Sequence, residues 1–354
     1  MRLGLHYNSE AASGVSRRYL QVVKPPVCKV LGGQRGTVEL GKQESPGTKW
    51  IGRVVWDPQT FQDYGAFQDR TLRMAREHRG LVDAWEGYNE CAWRGEDLRR
   101  FMGLEIGLAK RLNDEGFIAC IGGFSTGFIE ADKDFDYCRG AFEYLNANPG
   151  RAWLHFHEYS APYVQFGWRT PDGRNQMAPG FTGFSASVDA YRAAGVDGWL
   201  TLRYRMLRRK LVEAGFGNVR FVITESGIDG GVTNRPGGQG GGWRDFNSPE
   251  WAQGPCGDYA MQMYLYLSQV TLDPYVVGVV DFGFGTLDSR WLSFDMAQDT
   301  AMLERVAAMQ ATIGGAAPSS INVAALRDAA AAEQAKCGVR LNPTAALQRT
   351  GLAA

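Results

Sequence analysis

Short apolar runs alternate with longer amphipathic segments along most of the chain. Eight of these runs are rich in β-branched and aromatic residues and are short enough to be strands. They lie at residues 2–7, 27–33, 50–56, 81–89, 117–124, 152–159, 220–226 and 276–284. Helix-like segments lie between them, at residues 59–78, 95–114, 134–147, 186–214, 257–271 and 297–312. The alternation predicts an α/β protein.

The order of the predicted elements narrows the fold class further. Strands that are separated by helices pair in parallel through right-handed crossovers. Eight such units in the first 313 residues predict a closed (β/α)8 barrel, the TIM barrel, which typically needs about 250 residues plus insertions. An open doubly wound sheet is the alternative. It is disfavoured because no G-x-G-x-x-G motif follows the first strand.

The character of the chain changes after residue 313. The stretch "GGAAPSS" is typical of a linker, and an Ala-rich helix candidate follows at residues 322–336. Residues 314–354 are too few to form a core of their own. We therefore predict a catalytic barrel over residues 1–313 and a short helical C-terminal extension or tail over residues 314–354.

Composition and charge exclude several classes of partner. Lys and Arg together number 38, as do Asp and Glu, so the chain has no electrostatic footprint for nucleic acid or an anionic membrane. No apolar run reaches the 18 residues of a membrane span. The six cysteines are scattered without a C-x-x-C pair, which argues against a disulfide scaffold or a zinc knuckle. The first ten residues lack the pattern of a secretory signal, and the compartment and oligomeric state stay open.

Reactive side chains gather where the predicted strands end, which is where barrel enzymes carry their active sites. The fourth strand runs into Asn89 and Glu90 in "WEGYNE", and the seventh ends on Glu225 in "FVITESG". Carboxylates on strands four and seven face each other across a barrel mouth. Retaining glycosidases need such a pair at about 5–5.5 Å, one as acid/base and one as nucleophile.

The motifs "GYNE" and "ITESG" resemble the acid/base and nucleophile motifs of clan A glycoside hydrolases, which are retaining enzymes built on a (β/α)8 barrel. The resemblance covers roughly residues 2–313. It implies that Glu90 is the acid/base, that Asn89 holds the sugar 2-hydroxyl, and that Glu225 is the nucleophile. His157 and Tyr159 occupy the sixth strand, where the clan often keeps a His or Tyr that positions the nucleophile.

Two departures from the clan pattern leave the family and the sugar open. Many members have a proline after the acid/base glutamate, where this chain has Cys91. Many have a tryptophan closing the eighth strand, where this chain has Phe282 and Phe284. The resemblance implies an oligo- or polysaccharide substrate with β-linkages, and its sugar, linkage and mode of cleavage stay undetermined.

Aromatic residues in the predicted loops are candidate platforms for sugar rings, because sugar C–H faces stack on such side chains. The five candidates are Trp93, Tyr163, Trp168, Trp243 and Trp291. The Gly-rich run at residues 227–244 is predicted to be a mobile lip over the cleft rather than a phosphate loop, since it lacks the G-K-[ST] ending.

Two rival functions remain at this level. A barrel that binds carbohydrate without catalysis would keep the fold and the aromatic platforms. A metal-dependent hydrolase would use the H-x-H pair His155 and His157 with Asp281 of the eighth strand. That hypothesis leaves Glu90 and Glu225 without a task, so we predict no metal and no cofactor.

Overall fold

A computed structural model describes most of the barrel. The described residues are 1–10, 14–161, 163–169, 196–232, 241–246 and 258–311. The predicted C-terminal extension, its helix candidate at residues 322–336, the start of the predicted helix at residues 186–214 and part of the Gly-rich run lie outside them.

Eight parallel strands form a closed barrel in which the last strand pairs with the first. The strands are β1 (Leu3–Tyr7), β2 (Val27–Leu31), β3 (Lys49–Arg53), β4 (Ala84–Glu86), β5 (Ile118–Phe124), β6 (Ala152–Ser160), β7 (Phe221–Ile228) and β8 (Val276–Phe284). Their order around the barrel is their order along the chain. The predicted (β/α)8 fold is confirmed.

Within the described residues, one α-helix follows each barrel strand. The helices are α1 (Gly14–Val23), α2 (Arg35–Glu44), α3 (Tyr64–Glu77), α4 (Gly95–Asp114), α5 (Phe135–Ala147), α6 (Tyr204–Glu213), α7 (Asp258–Val270) and α8 (Thr300–Ala311). The first two were absent from the predicted segments. The sixth begins later than predicted, because Asp197–Gly198 pairs with Trp168–Arg169 as a short antiparallel ladder before it.

Two properties expected from composition can be checked in the described part of the chain. None of its helices combines the length and the apolar character needed to cross a membrane. The four cysteines that it contains are buried free thiols: Cys28, Cys91, Cys120 and Cys138.

The barrel interior has an apolar floor with a polar layer above it. The floor consists of Val27, Ile51, Ala84, Cys120, Trp153, Val222 and Val280. Two residues further along their strands, the same inward-facing positions carry Lys29, Arg53, Glu86 and His155, because side chains on one face recur with a period of two. Burying charge is costly unless the charges are paired. The charged layer lies toward the C-terminal ends of the strands, which is the end where barrel enzymes carry their active sites.

Strand β4 is shorter than the predicted run at residues 81–89, because its continuation bonds elsewhere. The Tyr88 N–H donates to the buried Glu105 carboxylate on α4 at 3.1 Å, and the Glu90 N–H donates to the Gly123 carbonyl at 2.8 Å. Burial raises the pKa of Glu105 to about 7, against its bonds from Tyr64 and the backbone. Glu90 consequently stands in a loop, with φ of 56°.

Gly123 is the backbone support of this loop, and a methyl group there should displace it. A Cβ on Gly123 would lie 2.1 Å from the Tyr88 carbonyl oxygen, at a φ of +52°. We expect Gly123→Ala to lower the free energy of unfolding by about 1–3 kcal/mol. Gly103→Ala is the matched control, because nothing lies within 4 Å of its Cβ in the middle of α4; it should stabilise by about 0.5–1 kcal/mol. Urea denaturation measures both, and equal stability of the two variants would contradict this reading.

Candidate active site

Glu225 lies at the centre of the polar layer and is almost fully buried. Its Oε1 accepts hydrogen bonds from Lys29 Nζ at 2.9 Å and Arg53 Nη1 at 2.7 Å. Its Oε2 accepts from the Tyr159 hydroxyl at 2.8 Å. His6 Nδ1 lies 3.5 Å from Oε1. The carboxylate is therefore fixed by groups from four strands.

The charges around Glu225 hold it in the ionised form. Burial alone would raise the pKa of this carboxyl, but the neighbouring His157, Lys29 and Arg53 hold it well below its usual range. Burial, reinforced by Lys29, keeps the pKa of His6 well below its ordinary value, so His6 is neutral at pH 7. A charged and immobilised carboxylate is what a nucleophile at an anomeric carbon requires.

Glu90 is the second carboxylate at this end of the barrel, and its side chain is 40% exposed. Its Oε1 lies 2.8 Å from His157 Nδ1, and the same nitrogen lies 3.4 Å from Glu225 Oε2. The two oxygens therefore cannot be farther apart than those two distances laid end to end, about 6.2 Å. His157 reaches Glu225 because the register between β6 and β7 shifts after Phe156.

Asn89 joins the same group through a shared cation. Its Oδ1 accepts a hydrogen bond from Arg53 Nη1 at 2.7 Å, the nitrogen that also bonds Glu225. The Asn89 N–H donates to Gln59 Oε1 at 2.7 Å, which fixes the loop. The structure thus brings together five residues singled out in the sequence: Asn89, Glu90, His157, Tyr159 and Glu225.

Four charged or titratable side chains of the site were not identified from the sequence: His6, Lys29, Arg53 and Glu86. Each lies inside or at the end of a short apolar strand, at a position that faces the barrel interior. That pattern was the available signal, since an ionisable residue within a buried parallel strand departs from the continuous apolar run that such strands usually show.

Of the predicted aromatic platforms, two are partly exposed and three are buried. Trp291 is 37% exposed, and its ring lies 5.4 Å from that of Phe282, which in turn contacts Tyr159. Trp93 is half-buried and stacks on Phe61 at 4.3 Å. Trp291 therefore borders the site, whereas the stacked face of Trp93 is occupied by another ring.

Tyr163, Trp168 and Trp243 do not have the exposure that a platform needs, which corrects their predicted role. Tyr163 is 1% exposed. Trp168 is 1% exposed and donates from Nε1 to Thr201 Oγ1 at 2.7 Å. Trp243 is 2% exposed, stacks on Tyr259 at 5.3 Å and donates to the Phe294 carbonyl. Trp168 thus joins the segment after β6 to the segment before α6, and Trp243 packs between α7 and the segment after β8.

The ligand set of the rival metal hypothesis is not assembled. Asp281 follows the inward-facing Val280 and so points outward, where it accepts a hydrogen bond from Tyr259 of α7 at 2.6 Å. Burial raises its pKa to about 8. His155 instead faces Glu86 and Thr224 inside the barrel. Within the described ranges, no three His, Cys, Asp or Glu side chains are grouped as metal ligands.

Comparisons with known proteins do not identify the function of this chain. No family model and no curated protein matches the chain. Among solved structures, a Bacteroidetes-affiliated GH5 cellulase is 10% identical with a TM-score of 0.48, covering 93% of this chain and 94% of that one. A GH10 endoxylanase from a sugarcane soil metagenome is 14% identical with a TM-score of 0.45, covering 88% and 96%. A calcium-binding mutant of Bacteroides uniformis β-glucuronidase 2 is 13% identical with a TM-score of 0.43, and the match covers 83% of this chain and 32% of that one. Structural similarity at this level does not identify a reaction.

Tyr159 offers a test of how the site holds Glu225. Tyr159→Phe removes a hydrogen bond that favours the charged carboxylate, so the pKa of Glu225 should rise and the acid limb of the pH–activity profile should move to higher pH. We expect kcat/KM to fall about 10- to 100-fold, as for a bond of roughly 1.5–3 kcal/mol to a charged group.

Tyr259→Phe is the matched control for this substitution. It also removes a buried tyrosine hydroxyl that donates to an acidic side chain, Asp281, but on the outer side of the barrel. It should change thermal stability and leave the acid limb in place. If both variants move the acid limb equally, Tyr159 has no specific role at Glu225.

Proposed function

We propose that the chain is a retaining glycoside hydrolase of clan A that cleaves β-glycosidic bonds of an oligo- or polysaccharide. The observation that carries the proposal is that Glu90 and Glu225 both lie next to one nitrogen of His157, Nδ1. Their facing oxygens lie within about 6.2 Å of each other. Inverting enzymes separate their carboxyl groups by about 6.5–9.5 Å to admit a water, whereas retaining enzymes need about 5–5.5 Å.

The environments of the two glutamates suit different roles. Glu225 is buried, ionised and fixed by Tyr159 and two cations, which supports its assignment as the nucleophile. Glu90 is 40% exposed, and in the described part of the chain its carboxylate contacts the imidazole of His157. It is therefore free to approach a leaving-group oxygen, as a general acid must.

The proposed reaction proceeds in two displacements. Glu90 gives its proton to the glycosidic oxygen as a Glu225 oxygen bonds to the anomeric carbon, and the aglycone leaves as an alcohol. Glu90, now a carboxylate, takes a proton from water while the hydroxyl attacks the anomeric carbon and releases Glu225. The proton lost in the first step is regained in the second, and the sugar leaves with its original configuration.

Asn89 and Trp291 are the residues best placed to hold the sugar. The Asn89 amide is oriented by Arg53 beside Glu225, which suits a bond to the 2-hydroxyl that strengthens as the ring flattens. Trp291 offers an exposed ring next to Phe282, at the edge of the same site. A barrel that binds carbohydrate without catalysis would use the same two contacts, so only the glutamates distinguish the two functions.

Glu225 should carry the covalent intermediate. A 2-fluoro-β-glycoside with an activated leaving group should label Glu225, as located by peptide mass spectrometry. Glu225→Ala should lower kcat by about 10⁴-fold or more, and azide should restore turnover with an α-azide product. Glu90→Gln is the internal control, because it should still be labelled when the leaving group needs no acid. Labelling of another residue would contradict the assignment.

The loss of activity on replacing Glu90 should depend on how much the leaving group needs a proton from it. Over a series of aryl β-glycosides, Glu90→Gln should lower kcat/KM about 10²- to 10⁴-fold for poor leaving groups and much less for activated ones. The measurement is the slope of log kcat/KM against the pKa of the leaving group, which should steepen in the variant. Equal losses along the whole series would show that Glu90 is structural.

A further inference from the structure

Lys29 is a fully buried cation that contacts two carboxylates at once. Its side chain is 0% exposed, its Nζ donates to Glu225 Oε1 at 2.9 Å, and the same nitrogen lies 2.9 Å from Glu86 Oε2. A buried ammonium is tolerated only when it is paired. Here Lys29 is paired with Glu225 and Glu86 at the same time.

Glu86 is itself fully buried and negatively charged. Burial would raise its pKa, but the cations Lys29 and Arg53 bring the pKa below its ordinary value. Burial lowers the pKa of His155 to about 3, so His155 is neutral and leaves the charge of Glu86 to be balanced by cations. The layer thus alternates in sign, from Glu86 through Lys29 to Glu225.

The titratable groups that face this chain of charges come from several strands and loops. Those that act on Glu225 are His6, Lys29, Arg53, Glu90, His157, Tyr159 and Asp229. Those that act on or feel Glu86 are Lys29, His155, Arg53, His157, Cys120 and Glu105. Lys29 is the one among these that lies within 3 Å of both carboxylates.

We propose that Lys29 and Glu86 are a pair of positioning residues that sets the ionisation of Glu225 without touching the substrate. Lys29 keeps Glu225 charged and holds its Oε1 in place. The negative charge of Glu86 offsets part of the electrostatic effect of Lys29 on Glu225. Glu225 therefore stays basic enough to attack the anomeric carbon. The inference rests on the proposed function, in which Glu225 is the nucleophile, because reactivity falls as a nucleophile is made less basic.

The direct test is the titration of Glu225 in protein labelled with ¹³C at the glutamate carboxyl carbons. The signal is assigned by its loss in Glu225→Gln. Lys29→Met should move the midpoint to higher pH, because a cation is lost and Glu86 is left unopposed. Lys29→Met with Glu86→Gln should titrate between Lys29→Met and the native protein. A double variant that titrates at or above Lys29→Met would overturn the proposal, since Glu86 would then not oppose Lys29.

A second pair of variants keeps the test valid if Lys29→Met does not fold. Arg53→Gln removes a cation that is only partly buried and should raise the Glu225 midpoint. Adding Glu86→Gln to it should lower the midpoint again, because Lys29 then acts on Glu225 alone. An unchanged midpoint would refute the role of Glu86.

Lys42→Met is the matched control, since Lys42 pairs with Asp83 before β4 begins, away from Glu225. It should leave the Glu225 midpoint at its native value. In active protein, Lys29→Met should lower kcat with little change in KM, and the acid limb should follow the NMR midpoint. If the native protein neither hydrolyses nor is labelled by glycosides, the proposed function fails, while the order of NMR midpoints still decides whether the pair acts on Glu225.

Discussion

The attraction between one buried carboxylate, Glu225, and the cations Lys29 and Arg53 is the constraint on which this site depends. Both cations contact a single oxygen of Glu225, at 2.9 and 2.7 Å. Isolated, each charge would be costly to place inside the barrel. Paired with one another, these charges are accommodated there, and the other oxygen of Glu225 is left to Tyr159 and His157.

The fold makes this arrangement possible because the apolar core of the barrel and its charged residues lie in separate layers. The apolar floor of the barrel packs seven side chains, from Val27 to Val280, beneath the charged layer. Parallel strands present their next inward positions at one level, so residues distant in sequence meet around Glu225. The loop after β4 is held by the carboxylate of Glu105 and the backbone of Gly123, and this loop carries Glu90 near Glu225.

Much of this was accessible from the sequence, and the remainder was not for identifiable reasons. The alternation of strands and helices predicted the barrel, and strand ends predicted Glu90 and Glu225. Lys29 and Glu86 were missed because a charge within an apolar run gives no indication of its partner until the barrel closes. Trp168 and Trp243 were overestimated, since a loop position does not reveal whether an indole packs on the barrel or faces solvent.

The central claim is that two glutamates at this spacing perform a double displacement. The most direct measurement is the anomeric configuration of the first product, followed by ¹H NMR during hydrolysis of a β-glycoside before mutarotation. The account predicts that the β-anomer appears first and the α-anomer grows in later. Initial release of the α-anomer would contradict it, because a single displacement by water inverts the carbon.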